Sequence, residues 1–211
     1  KYNLKLSGGD TTNSEKVSFS ITTIGYSKNI IERNKAKIND DIYVTGNIGD
    51  SFLGLKIIKN NPKISSKLKK YFINQFYCPN LPFKIYKHIH KFANTSMDIS
   101  DGLISDMNKL INNQKLSFEI NVNKIPISKN LEVYLNKYNK KRNVYLFNGD
   151  DYQILFTAPK KKRSLIKSIG KKMNQKITII GKINNGYKKN LIKMDNKSQN
   201  LTNFKGYSHK F

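Results

Sequence analysis

Ser96-Met97-Asp98-Ile99-Ser100-Asp101-Gly102-Leu103 sets two carboxylates and a hydroxyl at the point where an apolar strand turns into a helix. Leu103, Met107, Leu110 and Ile111 follow at spacings of four, three and one, which keeps them on one face at 3.6 residues per turn. Ser100 and Asp101 therefore fall at the N-terminus of that helix. Two readings are open there: plain helix capping, which Ser and Asp favour, or a place to hold metal and phosphate. Capping leaves Asp98 unexplained. It also leaves unexplained a second acidic pair, Asp150 and Asp151, in Asn148-Gly149-Asp150-Asp151-Tyr152-Gln153-Ile154-Leu155-Phe156-Thr157.

Working outward, Val17, Phe19 and Ile21 alternate with polar residues up to Gly25 and read as a half-buried strand. Asp41 to Gly46 reads as another. It runs through Gly46-Asn47-Ile48-Gly49-Asp50-Ser51 into a helix carrying Phe52, Leu55 and Ile58, with Asp50 or Ser51 as its cap. Helices are expected at about 64–76 and 83–93, on either side of the Pro79-Asn80-Leu81-Pro82 breaker. Further helices are expected near 128–138 and 160–172, and strands near 117–122, 152–157 and 176–183. Such alternation makes α/β or α+β the best class.

The 39 Lys and Arg exceed the 14 Asp and Glu to give a formal charge of +25. Such a balance would suit a polyanionic partner, but the excess is nearly all Lys, spread from end to end beside abundant Asn and Ile. That distribution reads as biased composition and argues against a nucleic-acid partner. Arg occurs at 33, 142 and 163, so Arg33, near the end of the first strand region, stands out from a lysine background. One cysteine, Cys78, allows no intramolecular disulfide and suits a reducing compartment such as the cytoplasm. No apolar run approaches 18 residues and no charged-then-apolar leader is present, so no membrane partner is expected.

Ser7-Gly8-Gly9-Asp10-Thr11-Thr12 joins two small residues that let backbone approach a phosphate to a carboxylate that could sit beside Mg²⁺, although a Gly-Gly-Asp turn is common in loops. The stretch from Gly46 to Ser51 lacks the Gly-Lys-Ser/Thr end of a Walker A loop. His88, His90 and His209 are too few and too badly spaced for a metal cluster or hydrolase triad, and no Gly-x-Ser-x-Gly elbow occurs. Nucleophilic catalysis is disfavoured; a magnesium-dependent phosphate site is the better fit.

Taken in order, Gly8-Gly9-Asp10-Thr11-Thr12, Asp41-Ile42-Tyr43-Val44-Thr45-Gly46 with Gly49-Asp50-Ser51, the 96–103 stretch, Gly149-Asp150-Asp151-Tyr152 with Leu155-Phe156-Thr157, and Lys205-Gly206-Tyr207 resemble the bacterial thiamine-monophosphate kinases. The resemblance runs nearly from Lys1 to Phe211. It implies the C-terminal domain of the aminoimidazole-ribonucleotide synthetase-like fold, an α/β fold of the α+β type, two-layered, with a mixed sheet packed by helices, and ATP-dependent phosphorylation of thiamine monophosphate to thiamine diphosphate. The transfer would be in-line, with no covalent nucleophile, Mg²⁺ as cofactor and a homodimer as the assembly. Carried over by motif, Asp10, Asp98 and Asp101 would be magnesium ligands. Gly9, Asp10, Arg33 and Ser100 would contact ATP, and Asp150 and Tyr207 the thiamine monophosphate. Asp150 stands where the family usually has a glutamate, one methylene longer.

Because the chain opens at Lys1 and enters a motif within seven residues, residues 1–34 are expected to be the end of a truncated N-terminal ATP-binding domain and 35–211 a C-terminal α/β domain. Alone, such a chain is expected to be inactive. Rival readings are another ATP-dependent synthetase of the same superfamily, a non-catalytic thiamine phosphate binder, and a basic nucleic-acid-binding module.

Overall fold

The structure, a computed structural model, describes residues 4–187 and 189–194 and the backbone of 197–200. Its strands are β1 (Asp41–Thr45), β2 (Thr95–Asp98), β3 (Leu116–Asn121), β4 (Ile154–Ala158), β5 (Ile177–Asn185), β6 (Leu191–Met194) and β7 (Lys197–Asn200). The helices are α1 (Asp50–Asn60), α2 (Ser66–Tyr77), α3 (Leu103–Leu110), α4 (Lys129–Lys137), α5 (Asn143–Leu146) and α6 (Arg163–Lys172). The seven described strands form one sheet in the order β2-β4-β1-β5-β3-β6-β7. It is mixed, as expected: β3 and β6 run parallel and every other neighbouring pair is antiparallel.

Alternation along the strands divides the apolar residues between two faces. Ile42, Val44, Leu155 and Ile180 pack with Leu103, Ile104, Met107 and Leu110 of α3. Tyr43, Phe156 and Ala158 face the other way, onto Ile166 and Ile169 of α6 and onto Ile85, Ile89 and Phe92. Tyr43 and Phe156, paired in register, stack with ring centroids 4.9 Å apart. A third cluster joins Leu53 and Ile57 of α1, Leu68 and Phe72 of α2, and Leu131 and Leu135 of α4. Gly54 lets α1 and α2 meet, since a Cβ there would lie 2.2 Å from the carbonyl oxygen of Phe72.

Three expectations are corrected. Val17, Phe19 and Ile21 are 88%, 88% and 85% exposed and form no strand; every residue from 4 to 30 is exposed. Their alternation marks a face that could be buried, but a strand also needs a ladder partner, and none is present among the described residues. Region 83–93 is not one helix but two 3-10 segments, Phe83–Lys87 and Ile89–Lys91, interrupted at His88. Ile85, Ile89 and Phe92 of that region are nonetheless buried, whereas Phe83 and Tyr86 are exposed. The lysine-rich helix opens as a 3-10 turn at Lys160–Lys162 before α6 begins.

Two stability measurements follow. Gly54→Ala would force α1 and α2 apart and is expected to cost about 1–3 kcal/mol in urea unfolding. Burial, reinforced by the charge of Asp41, raises the Tyr43 phenol from its usual 10.0 to about 12. The neutral phenol therefore contributes stability that is complete below pH 10.0 and is lost as pH rises through about 12. Unfolding midpoints recorded across that interval should fall, and fall less steeply in Tyr43→Phe.

Candidate functional site

Antiparallel pairing places the end of β2 beside the start of β4, with Asp98 opposite Ile154. The two chains stay zipped beyond the ladder. Ile99 N–H donates to the Gln153 carbonyl at 2.8 Å, Tyr152 N–H to the Ile99 carbonyl at 2.9 Å, and Asp150 N–H to the Ser100 carbonyl at 3.0 Å. Gly149 permits this approach, since a Cβ there would fall 1.8 Å from the Ser100 carbonyl oxygen. Asp98, Ser100, Asp101 and Asp150 are thereby gathered at one edge of the sheet. Burial raises the Asp150 carboxyl pKa, helped by the charge of Asp101. Tyr152 has its phenol pushed up by burial and then by Asp150, Asp98 and Asp101, so all three carboxylates act on one ring.

The loop entering α3 is built around a residue that sequence reasoning missed. The N–H groups of Ser100, Asp101 and Gly102 all donate to Oδ2 of Asp106, at 3.0, 2.9 and 3.1 Å. Asp106 is fully buried, and burial raises its pKa against the opposing pull of Lys109 and the Asp101 N–H. Thus a carboxylate in the first turn of α3 reaches back to the loop, the reverse of the capping considered for Ser100 and Asp101. Gly102, at φ 115, occupies the N-cap position and no side chain caps the helix. Lys109 reaches both carboxylates, pairing with Asp101 and lying 3.2 Å from Oδ1 of Asp106.

A second node lies at the start of α1. Gly49, at φ 98, is the N-cap, so Asp50 and Ser51 begin the helix rather than cap it. Asp50 accepts from the Tyr71 hydroxyl at 2.9 Å and the Ser128 hydroxyl at 2.7 Å, tying α1 to α2 and to the start of α4. Asp151 accepts from Gly49 N–H at 2.9 and 3.0 Å through its two oxygens. Both carboxylates line a polar cavity of about 280 Å³ with Tyr71, Asn80 and Gln153. A larger groove of about 660 Å³ lies over α6 and β5, floored by Ile166, Ile177 and Ile179, and includes none of the gathered acid residues.

No protein-family model matches the chain. It is 36% identical over 162 residues to the thiamine-monophosphate kinase of Aquifex aeolicus, which covers 76% of this chain and 53% of that relative. It is also 36% identical over 217 residues to the thiamine-monophosphate kinase of Buchnera aphidicola from Acyrthosiphon pisum, which covers 99% of this chain and 65% of the relative. The solved structure of the Aquifex aeolicus kinase superposes with a TM-score of 0.67 at 34% identity, over 77% of this chain and 52% of that one. The chain is a homologue of the thiamine-monophosphate kinases. It spans between about half and two thirds of the length of these curated kinases. AaThiL complexed with AMPPCP and TMP superposes with a TM-score of 0.70 at 32% identity, over 85% of this chain and 54% of that one. A hydrogenase maturation protein, HypE, has a TM-score of 0.61 at 10% identity and shares the fold alone.

Of the residues singled out by resemblance to these kinases, the structure unites Asp98, Ser100, Asp101 and Asp150. Gly9 and Asp10 lie in the exposed 4–30 segment, where Asp10 accepts the N–H of Thr11 at 2.8 Å and nothing stands within 4 Å of a Cβ built on Gly9. They are not brought to the acid loops. Arg33 is exposed, but its neighbours are tied to the same elements: the Glu32 carbonyl accepts from Thr95 at the start of β2, and Asn34 N–H donates to Leu110 at the end of α3. Tyr207 lies outside the described residues. Among those residues no group of three or more His, Cys, Asp or Glu is arranged to hold a metal ion. The oxygen-only chemistry of Asp98 and Asp101 does fit Mg²⁺, which is commonly held by one or two carboxylates together with substrate phosphates.

Asp106→Ala would leave three loop N–H groups without their acceptor. We expect it to cost about 3 kcal/mol or more in urea unfolding, with Asp106→Asn, which keeps one acceptor oxygen, costing less.

Proposed function

We propose that this chain serves the ATP-dependent phosphorylation of thiamine monophosphate to thiamine diphosphate, with Mg²⁺, in a cytoplasmic homodimer. The observation that carries the reading is the meeting of the Asp98–Asp101 and Asp150–Tyr152 loops in a chain 36% identical to kinases of that name. The complex of AaThiL with AMPPCP and TMP adds support. The free, exposed thiol of Cys78 suits a reducing compartment such as the cytoplasm.

Two anionic phosphates must approach one another in this reaction, so the barrier is chiefly electrostatic. Mg²⁺, when bound, would supply the positive charge that offsets that repulsion. Asp98 and Asp101 would hold it from the end of β2, and their backbone is kept in place by Asp106 and by the hydrogen bonds to Asp150 and Tyr152. Arg33 would meet ATP phosphates as a planar, always-charged fork. Asp150 would contact the substrate with the reach of a short side chain, and Tyr207 would offer an aromatic face to the cationic thiazolium. The attacking group belongs to the substrate phosphate, so no side chain needs to act as a nucleophile.

Thiamine diphosphate formation should be followed by chromatography, using the product of the whole open reading frame in which this sequence lies. We expect Mg²⁺- and ATP-dependent product, with Asp98→Ala and Asp101→Ala each lowering kcat by about 100-fold or more. A folded, ATP-binding protein that forms no product would overturn the reading and favour a non-catalytic binder.

A further inference from the structure

Asp151 is flanked by two residues of the acid site but does not share their exposure. It is buried, whereas Asp150 is partly exposed and Tyr152 is 41% exposed. Both neighbours sit in the left-handed region, at φ 69 for Asp150 and φ 49 for Tyr152. A side chain as bulky as tyrosine rarely adopts that conformation, and such backbone persists only where surrounding contacts over-determine it. Two of those contacts are the hydrogen bonds from Asp150 and Tyr152 to the Ser100 and Ile99 carbonyls. The third lies between them, where both oxygens of Asp151 meet the N–H of Gly49.

That anchor is costly. Burial pushes the Asp151 carboxyl well above the usual carboxylate range, and the charge of Asp50 pushes it further, while the N–H groups of Gly49 and Ser51 pull it down. Its partners are backbone donors at the start of an eleven-residue helix, where the helix dipole favours an anion. Gly49 is held as tightly from behind: a Cβ there would lie 2.7 Å from the Tyr145 carbonyl oxygen. A buried carboxyl group kept at such a place, between two strained residues that face the acid site, has a geometric task.

We propose that Asp151 is a positioning residue, whose buried carboxyl group on the Gly49 N–H fixes Asp150 and Tyr152 in left-handed backbone and so presents them beside Asp98 and Asp101. Through Asp50, the start of α1 also grips α2 and α4, and the acid loop is thereby referenced to the helical layer as well as to the sheet. The functional consequence rests on the kinase reading above; the anchoring itself does not.

The test uses the whole protein with Asp151→Ala and Asp151→Asn, the latter keeping one acceptor oxygen without the charge. Amide exchange read by NMR should accelerate about tenfold or more at Asp150 and Tyr152 in D151A, with the amides of Leu155 to Ala158 in β4 unchanged. Thiamine diphosphate formation should lose about 10- to 100-fold in kcat, with KM for ATP within about threefold, and D151N should recover most of both effects. Should D151A not fold, Asp151→Ser is measured in its place. Unchanged exchange at the two amides, or equal acceleration throughout β4, overturns the proposal, the second outcome marking a residue that only stabilises the fold. A parent protein that forms no thiamine diphosphate defeats the kinase reading, while exchange at the two amides still decides the role of Asp151.

Discussion

Everything at the acidic edge depends on β2 and β4 running antiparallel in a register that sets Asp98 against Ile154. A parallel arrangement would send the turn after β2 and the loop before β4 to opposite ends of the sheet. With this pairing, two segments separated by some fifty residues in sequence continue as one hydrogen-bonded strip past the last ladder pair, and glycine at 149 lets them touch. Because β1 is antiparallel to β4 as well, the turn into α1 emerges at the same end and meets the same loop through Asp151. The site is a product of strand direction before it is a product of side chains.

The chain has 14 acidic residues, and among the described residues five aspartates are buried, each of which ties together segments distant in sequence or turns a loop. Asp40 accepts from Lys37 N–H, the Asn94 amide and the Thr157 hydroxyl, joining the approach to β1 with β4 and the residue before β2. Asp41 takes Arg163 through two hydrogen bonds, bringing the start of α6 to β1. Asp50, Asp106 and Asp151 hold the helix starts and loops around the acid edge. Removing a buried carboxylate from a set of donors leaves those donors unmatched, so a neutral replacement that is easier to bury still costs stability.

Much of this was legible beforehand. The 3.6-residue spacing of Leu103, Met107 and Leu110 marked α3 and its buried face, and the motif order marked Asp98, Ser100, Asp101 and Asp150 as residues to expect together. Asp106 was not legible, because an aspartate in the first turn of a helix reads as ordinary dipole stabilisation until its three backbone donors are seen. Asp151 was visible as an acid but not as an anchor; its partner is a backbone N–H about a hundred positions away, which no local pattern announces. Val17, Phe19 and Ile21 failed for a related reason, since alternation describes one strand and pairing needs two. The break at His88 eluded periodicity because 3-10 and α segments can bury the same apolar residues.

The exposed 4–30 segment carries Leu4, Leu6, Val17, Phe19, Ile21, Ile24, Tyr26 and Ile30, each at least 76% accessible, on a molecule of formal charge +25. These two features oppose each other when molecules meet. Like charge keeps copies of the chain apart over about 10 Å at 0.1 M salt and over about 30 Å at 0.01 M, whereas adhesive apolar side chains act at contact and strengthen in salting-out media. Dilute buffer therefore opposes non-specific clustering of this chain, and concentrated sulfate both strips away its mutual repulsion and sharpens its stickiness.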